Sequence, residues 1–141
     1  MKKDSKLRLN IQITLLSITM VLLISVQPGL ADLPPSAYKE MQESAPEYID
    51  IEVLKVKTEK VTDAIMVDIE AKVTGVKRSE SNLKAGDTIV IRYFHDTRGL
   101  IGPAPIPILD EGKSYPAFLV KEDGNDFYQP SAMGRSFSVV N

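Results

Sequence analysis

The fold is decided by two neighbouring stretches, YIDIEVLKVKT at residues 48–58 and AIMVDIEAKVTGVKRS at residues 64–79. Alternation of apolar and polar residues is typical of a β-strand with one buried face. In the first stretch, apolar residues alternate with acidic ones from residue 49 to residue 53. The alternation then slips by one residue, so that Leu54 and Val56 take the apolar positions. Such a slip indicates a β-bulge, which bends the strand and increases its twist.

The second stretch has the same pattern and a similar interruption. Its inward face is predicted to hold every second residue, namely Ile65, Val67, Ile69, Ala71 and Val73. Gly75 follows, and Val76 then falls out of phase. A glycine inside a strand often marks a bulge or a tight corner of a barrel. Two long strands, each kinked once, therefore predict the curved walls of a barrel rather than a flat sheet, but the pattern does not decide whether the barrel closes.

The remaining strands are predicted to complete a small barrel. A turn at residues 85–87 precedes a third strand, with Ile89, Ile91 and Tyr93 inward. Residues 113–122 form a fourth strand, in which Pro116 favours a sheet edge or a bulge. One or two last strands are expected within residues 127–140. Five or six strands with evenly spaced turns predict an all-β fold, here a small OB-like barrel.

Residues 1–31 have the three parts of a secretory signal peptide. Residues 1–10 carry four basic residues against one acid, residues 11–26 form an apolar run, and small residues stand at Gly29 and Ala31. The sequence predicts cleavage after Ala31. An uncleaved membrane anchor is the alternative, but polar residues dilute the run, and a spanning helix needs about 20 mostly apolar residues. We expect export to a periplasm or out of the cell, without membrane insertion after cleavage.

Charge and cysteine content narrow the possible partners. The chain has a net charge of −2, and removal of residues 1–31, with four of 17 basic and one of 19 acidic residues, would leave about −5. An acidic protein is poorly suited to nucleic acid, because phosphate binding depends on Lys and Arg. The chain has no cysteine, so its stability must come from an apolar core. Residues 32–47 are predicted to be an N-terminal arm or a short helix, and residues 48–141 a single barrel domain.

The predicted strands resemble those of an OB-fold barrel, in particular the netrin-like domain shared with tissue inhibitors of metalloproteases. In those domains a G-x-x-v-x-v strand precedes a G-x-x-Y strand. The matching positions here are Gly86, Ile89 and Ile91, then Gly112 and Tyr115. The resemblance covers residues 49–120 and implies a five-stranded barrel. Those inhibitors bind the protease zinc through an N-terminal cysteine, and since this chain has no cysteine, their mechanism does not carry over.

His95 is the only histidine, and it limits the enzymatic hypotheses. A Ser-His-Asp site would have to use His95, whose side chain tends to diverge from that of its neighbour Asp96, and the chain has no Gly-x-Ser-x-Gly motif. A zinc site with one histidine would need carboxylates from distant segments. Residues 121–128, KEDGNDFY, lack the later bidentate glutamate of a calcium loop and are predicted to contain a hairpin turn. We therefore expect no metal and no cofactor.

The stretch RYFHDTRGLIGPAPIPIL at residues 92–109 is the candidate binding site. Positive and aromatic side chains concentrate there and nearby, at Arg92, Tyr93, His95, Arg98 and Tyr128. Its prolines fix φ and so reduce the entropy lost on binding. Loops carried by a rigid scaffold commonly hold the binding function. The alternative is a connection that only covers the barrel mouth, with its aliphatic residues packed on the core.

Together these features predict an exported, non-enzymatic module that binds a protein of the cell envelope or the extracellular space through residues 92–109. Two other hypotheses stay open. One is a small hydrolase or metal-dependent enzyme that uses His95, and the other is a carrier that holds a small ligand inside an open barrel. The oligomeric state does not follow from the sequence.

The predicted cleavage site can be tested on protein isolated from its native source. The amino terminus should be Asp32, because Gly29 and Ala31 supply the small residues that signal peptidase requires. Intact-mass measurement and amino-terminal sequencing would check this. A product that still carries residues 1–31 would contradict the prediction.

Overall fold

The computed structural model describes residues 32–98 and 102–141. In chain order the elements are a helix α1 (Pro35–Ser44) and five strands, followed by a 3₁₀ turn at Met133–Arg135. The strands are β1 (Glu47–Val61), β2 (Ala64–Ser79), β3 (Thr88–Asp96), β4 (Ser114–Val120) and β5 (Gln129–Pro130). The predicted signal peptide lies outside the described residues. In the part of the chain that the structure describes, no helix combines the length and apolarity needed to cross a membrane.

The strands form one antiparallel sheet in the order β3-β2-β1-β4-β5. β1 and β2 pair from Glu47 opposite Ser79 to Val61 opposite Ala64, and a two-residue turn joins them. Thr62 in that turn has a φ of 55°, as tight hairpin turns require. The predicted mostly-β fold with a short N-terminal helix is confirmed, with five strands.

The bulge predicted in the first strand is confirmed at Leu54. Val53 lies opposite Ala71 and Lys55 lies opposite Glu70, so Leu54 has no partner across the ladder. The outcome for the side chains differs from the prediction. Leu54 is 43% exposed rather than inward, and Val56 packs only partly against the core. The reason is that the bulge residue itself leaves the pleat, while the strand beyond it extends past the core.

The interruption at Gly75 is also confirmed as an irregularity of the ladder. Asp50 lies opposite Gly75 and Ile51 lies opposite Val73, so one residue of β2 between them has no partner. A Cβ added to Gly75 would lie 3.1 Å from Asp50 Oδ2, whose carboxylate also binds the Lys77 ammonium at 2.5 Å. A glycine therefore gives room for this ion pair above the bend.

The predicted OB-like barrel is not closed, because the sheet is open. Among the described residues, the link between its edges is an isolated parallel bridge between Ile91 of β3 and Tyr128, which directly precedes β5. There the Tyr128 N–H donates to the Val90 carbonyl at 2.8 Å, and the Arg92 N–H donates to the Tyr128 carbonyl at 2.9 Å. No longer ladder joins these edges within the described residues.

The physical reason for the open sheet lies in the last segment of the chain. The strands expected within residues 127–140 are reduced to two residues, of which Pro130 has no N–H to donate. The chain then turns at Met133–Arg135, where a Cβ added to Gly134 would lie 2.3 Å from the Ala104 carbonyl oxygen. Pro116 lies in β4 opposite Asp50, and β4 is an inner strand of the sheet rather than the predicted edge. Its missing N–H interrupts no ladder, because only Leu119 and Val120 of β4 pair with β5.

The core lies on the concave face of the sheet. Its fully buried large side chains include Ile49, Ile51, Ile69, Ile91 and Leu119. A second, smaller cluster forms on the other side, where Ala45, Phe118 and Ala132 are buried and the rings of Tyr48 and Phe118 stack at 4.3 Å. α1 therefore covers part of the outer face, where its Met41 packs against this second cluster.

One buried polar residue of α1 was not singled out by the sequence. Gln42 is 5% exposed, and its Nε2 donates to the carbonyls of Arg135 at 2.8 Å and Ser138 at 2.6 Å. Its Oε1 accepts from the Val140 N–H at 3.1 Å. Gln42 thus ties the helix to the C-terminal segment, which has no strand of its own to satisfy these groups.

The bulge predicts a sharp difference between two large-to-small substitutions on β1. Ile51→Ala should lower the free energy of unfolding by about 2–5 kcal/mol, because Ile51 is fully buried. Leu54→Ala, three residues along the same strand, should cost no more than about 0.5 kcal/mol, as expected of an exposed side chain. Urea denaturation measures both. Equal losses of unfolding free energy in the two variants would contradict the observation that Ile51 points inward and Leu54 is exposed.

Candidate binding surface around residues 92–109

The connection that follows β3 is fixed to the concave face of the sheet. Tyr93 Oη donates to the Pro107 carbonyl at 2.6 Å, and His95 Nδ1 lies 2.7 Å from the Ile106 carbonyl. Leu109 is 5% exposed and belongs to the core, whereas Ile108 is 39% exposed. Three successive anchors therefore hold residues 106–109, and this part of the connection is a cover of the core.

Tyr93 and His95 are consequently structural anchors in this structure. Burial raises the pKa of Tyr93 above its ordinary value, so the phenol keeps the proton that it donates to the Pro107 carbonyl. A carbonyl oxygen can only accept, so the contact with Ile106 places a proton on His95 Nδ1. The Nε2 of the neutral ring is then the only nitrogen left to act as a base.

Arg92 lies on the opposite, convex face of β3 and has two partners. Its guanidinium donates to both carboxylate oxygens of Asp68, at 2.6 and 3.0 Å, and this pair raises the pKa of Arg92. Its Cζ is also 4.8 Å from the ring centroid of Phe127. A bidentate ion pair stacked on an aromatic ring holds the guanidinium in one orientation.

Arg98 and Tyr128 lie apart from this arrangement. Arg98 forms an ion pair with Asp96 at 2.7 Å, and its hydrogen bonds lower the pKa of that carboxyl to about 2. Tyr128 is 5% exposed, and its hydroxyl lies 2.8 Å from Ser81 Oγ. The five candidate residues therefore do not converge on one site: two anchor the connection, two cations pair with neighbouring carboxylates, and Tyr128 is part of the core.

The structure shows a different exposed feature on the same strand. On the convex face of β3, Phe94 is 56% exposed and Val90 is 38% exposed, with Arg92 between them. Met66 lies opposite Phe94 on β2 and is half-buried. The sequence contained this signal, because the alternation that places Ile91 and Tyr93 inward also places Phe94 outward.

The same part of β3 is an edge of the sheet. The bridge to Tyr128 uses the carbonyl of Val90 and the N–H of Arg92, so the even-numbered residues direct their backbone groups away from β2. Phe94 follows this parity. Within residues 32–98 and 102–141, no group pairs with its N–H or its carbonyl on that side. The edge from residue 93 onward thus offers hydrogen-bonding groups next to an exposed aromatic ring.

The geometry of a metal site is not found in the described part of the chain, where no three His, Asp or Glu side chains lie close enough to hold an ion. The chain matches no known protein-family model, no curated protein and no solved structure.

The anchoring role of Tyr93 can be tested against a matched tyrosine. Tyr93→Phe should lower the free energy of unfolding by about 1 kcal/mol, since it removes one hydrogen bond from a buried site. It should also speed hydrogen exchange of the amides of residues 104–109, because their contact through Pro107 is lost. Tyr128→Phe removes a hydrogen bond to Ser81 instead and should leave exchange in residues 104–109 unchanged. Unaltered exchange in Tyr93→Phe would contradict the anchor.

Proposed function

We propose that the protein is an exported, non-enzymatic module that binds a protein of the cell envelope or the extracellular space through residues 92–109 and the adjoining edge of β3. The observation that carries this proposal is that the Phe94 ring, 56% accessible, lies on an edge strand next to backbone groups that can form hydrogen bonds. Long exposed edges are normally blunted, because they recruit other strands. An edge with an aromatic anchor suits addition of an extended partner segment.

The chemistry of the surface indicates the kind of partner. Around Phe94, the convex rows of β1, β2 and β3 mix apolar residues with both charges, as in the row that joins Lys57, Asp68 and Arg92. Mixed charge of this kind suits a polypeptide better than a uniformly anionic polymer. An apolar side chain of an added strand would lie against Phe94, which Met66 of β2 flanks on its other side, while the backbone of the added strand would pair with the edge.

The anchored connection contributes rigidity to this proposed edge. Tyr93 and His95 hold residues 106–107 against the concave face, and the intervening Phe94 projects to the convex side. A strand held on one face loses little conformational freedom when a partner pairs along its edge. In this proposal the prolines of the connection act as support for the binding strand.

The proposal predicts that one substitution abolishes capture of the partner. Phe94→Asp should weaken binding by about 30-fold or more, the effect of removing a central aromatic anchor. Val139→Asp is the matched control, because Val139 is similarly exposed at 52% and lies in the C-terminal segment. Both variants and the unaltered protein would be tagged and used to retain proteins from an envelope extract or culture fluid, with quantitative mass spectrometry as the readout.

A protein retained by the unaltered chain and by Val139→Asp, but not by Phe94→Asp, would support the proposal. Retention that is equal in all three, or no specific retention by the unaltered protein, would contradict it. Thermal unfolding of each variant shows whether the sheet is intact, since Phe94 and Val139 contribute little to the core.

A further inference from the structure

A second surface, at the start of β1, contains a buried carboxylate with unused acceptor capacity. Glu47 begins β1 and is 1% exposed. Its Oε1 accepts from the Ser81 N–H at 2.9 Å, but its Oε2 is buried without a hydrogen-bond partner. Within the described residues only Ser131 Oγ shares this condition, and a hydroxyl is far less costly to bury than a carboxylate.

Glu47 lines an open cleft of about 440 Å³. Its lining also includes Glu80, Ser81, Lys121, Glu122 and Asp123. Three further carboxylates therefore surround the opening. Lys121 is the one basic side chain among the described residues that line it, and its Nζ lies over the Tyr128 ring, 5.4 Å from the centroid. The structure forms no ion pair between Lys121 and Glu47 among its described residues.

A carboxylate in this position favours a cation as its ligand. Removing an ionised carboxylate from water carries a large free-energy cost unless a partner charge and hydrogen bonds compensate for it. Neither compensation reaches Glu47 Oε2 among the described residues, and the cleft is lined by four carboxylates against one ammonium group. The unfilled acceptor and this acidic lining therefore favour the same kind of ligand, one with a positive charge and N–H donors.

We propose that this cleft binds a primary alkylammonium group, with Glu47 Oε2 as its buried acceptor and the carboxylates of Glu80, Glu122 and Asp123 around it. A guanidinium suits the site less well, because its paired donors need two free carboxylate oxygens and Oε1 already accepts from Ser81. A divalent metal also suits it less well. Calcium takes six to eight oxygens at about 2.3–2.6 Å, and no three described acidic side chains approach that closely.

The ammonium group can belong to a small aliphatic amine or to a lysine side chain, and binding experiments distinguish these sources. Isothermal titration of the purified protein would use 1,4-diaminobutane, a short Lys-containing peptide and the same peptide with Arg. Binding of the diamine would identify a small-molecule site, and binding of the Lys peptide alone would identify a peptide site. Absence of binding by both, or a stronger affinity for the Arg peptide or for calcium ions, would overturn the proposal.

Substitution of the anchor gives the decisive comparison. Glu47→Gln keeps an oxygen for the Ser81 N–H but removes the charge, and it should weaken ammonium binding at least tenfold. Glu59→Gln, an exposed carboxylate on the same strand, is the matched control and should bind like the unaltered protein. The double variant Glu122→Gln/Asp123→Asn should weaken binding about two- to fivefold, as expected for exposed charges.

A stability measurement keeps the test informative if Glu47→Gln alters folding. Saturating ammonium ligand should raise the thermal midpoint of the unaltered protein and of Glu59→Gln, but not that of Glu47→Gln. Equal affinity or an equal thermal shift in Glu47→Gln and the unaltered protein would overturn the proposal. Because Phe94→Asp leaves this cleft intact, it should bind the ammonium probe normally, and the two proposed sites can fail independently.

Discussion

The structure depends on the pairing of β1 with β2, and above all on the bulge that interrupts it. The two strands form the longest ladder of the sheet, and Leu54 leaves the pleat where Val53 and Lys55 pair with consecutive residues of β2. Before the bulge the inward side chains are fully buried, and after it they are mostly exposed. A bulge also increases local twist. The extra residue at Leu54 thus limits the core, and together with the irregularities of the ladder near Gly75 it curls the sheet.

The curl brings the outer strands together without joining them in a ladder. β5 ends at Pro130 and forms no ladder with β3. Among the described residues, one bridge between Ile91 and Tyr128 spans the gap between these outer strands. The connection after β3 covers the rest, held through Tyr93 and His95. Among the described residues, no element covers Phe94 on the convex side of β3, and none pairs with the edge of β3 beyond the bridge. We therefore propose that a partner binds at Phe94 on β3, and that the prolines of residues 92–109 support this strand.

The sequence predicted what local pattern controls and missed what distant contacts control. Alternation located β1, β2 and the bulge, because side-chain period is a property of each strand. The sequence did not show whether the barrel closes, since closure depends on how long a ladder the last segment can form. No sequence pattern indicates that the carbonyls of Ile106 and Pro107 accept hydrogen bonds from His95 and Tyr93. The inward position of Glu47 could have been predicted, because it lies two residues before Ile49 on the same strand. Export, a protein partner and the resemblance to netrin-like domains stay predictions.

Nuclear magnetic resonance couplings across hydrogen bonds test the central claim, an open and curled sheet, most directly. The account predicts a coupling between the Arg92 amide nitrogen and the Tyr128 carbonyl carbon, and another between the Tyr128 nitrogen and the Val90 carbon. It also predicts that the Phe94 amide shows no such coupling and exchanges rapidly with solvent. A coupling from Phe94 to a carbonyl of residues 129–131 would show a continuous ladder, hence a closed barrel, and would contradict the account.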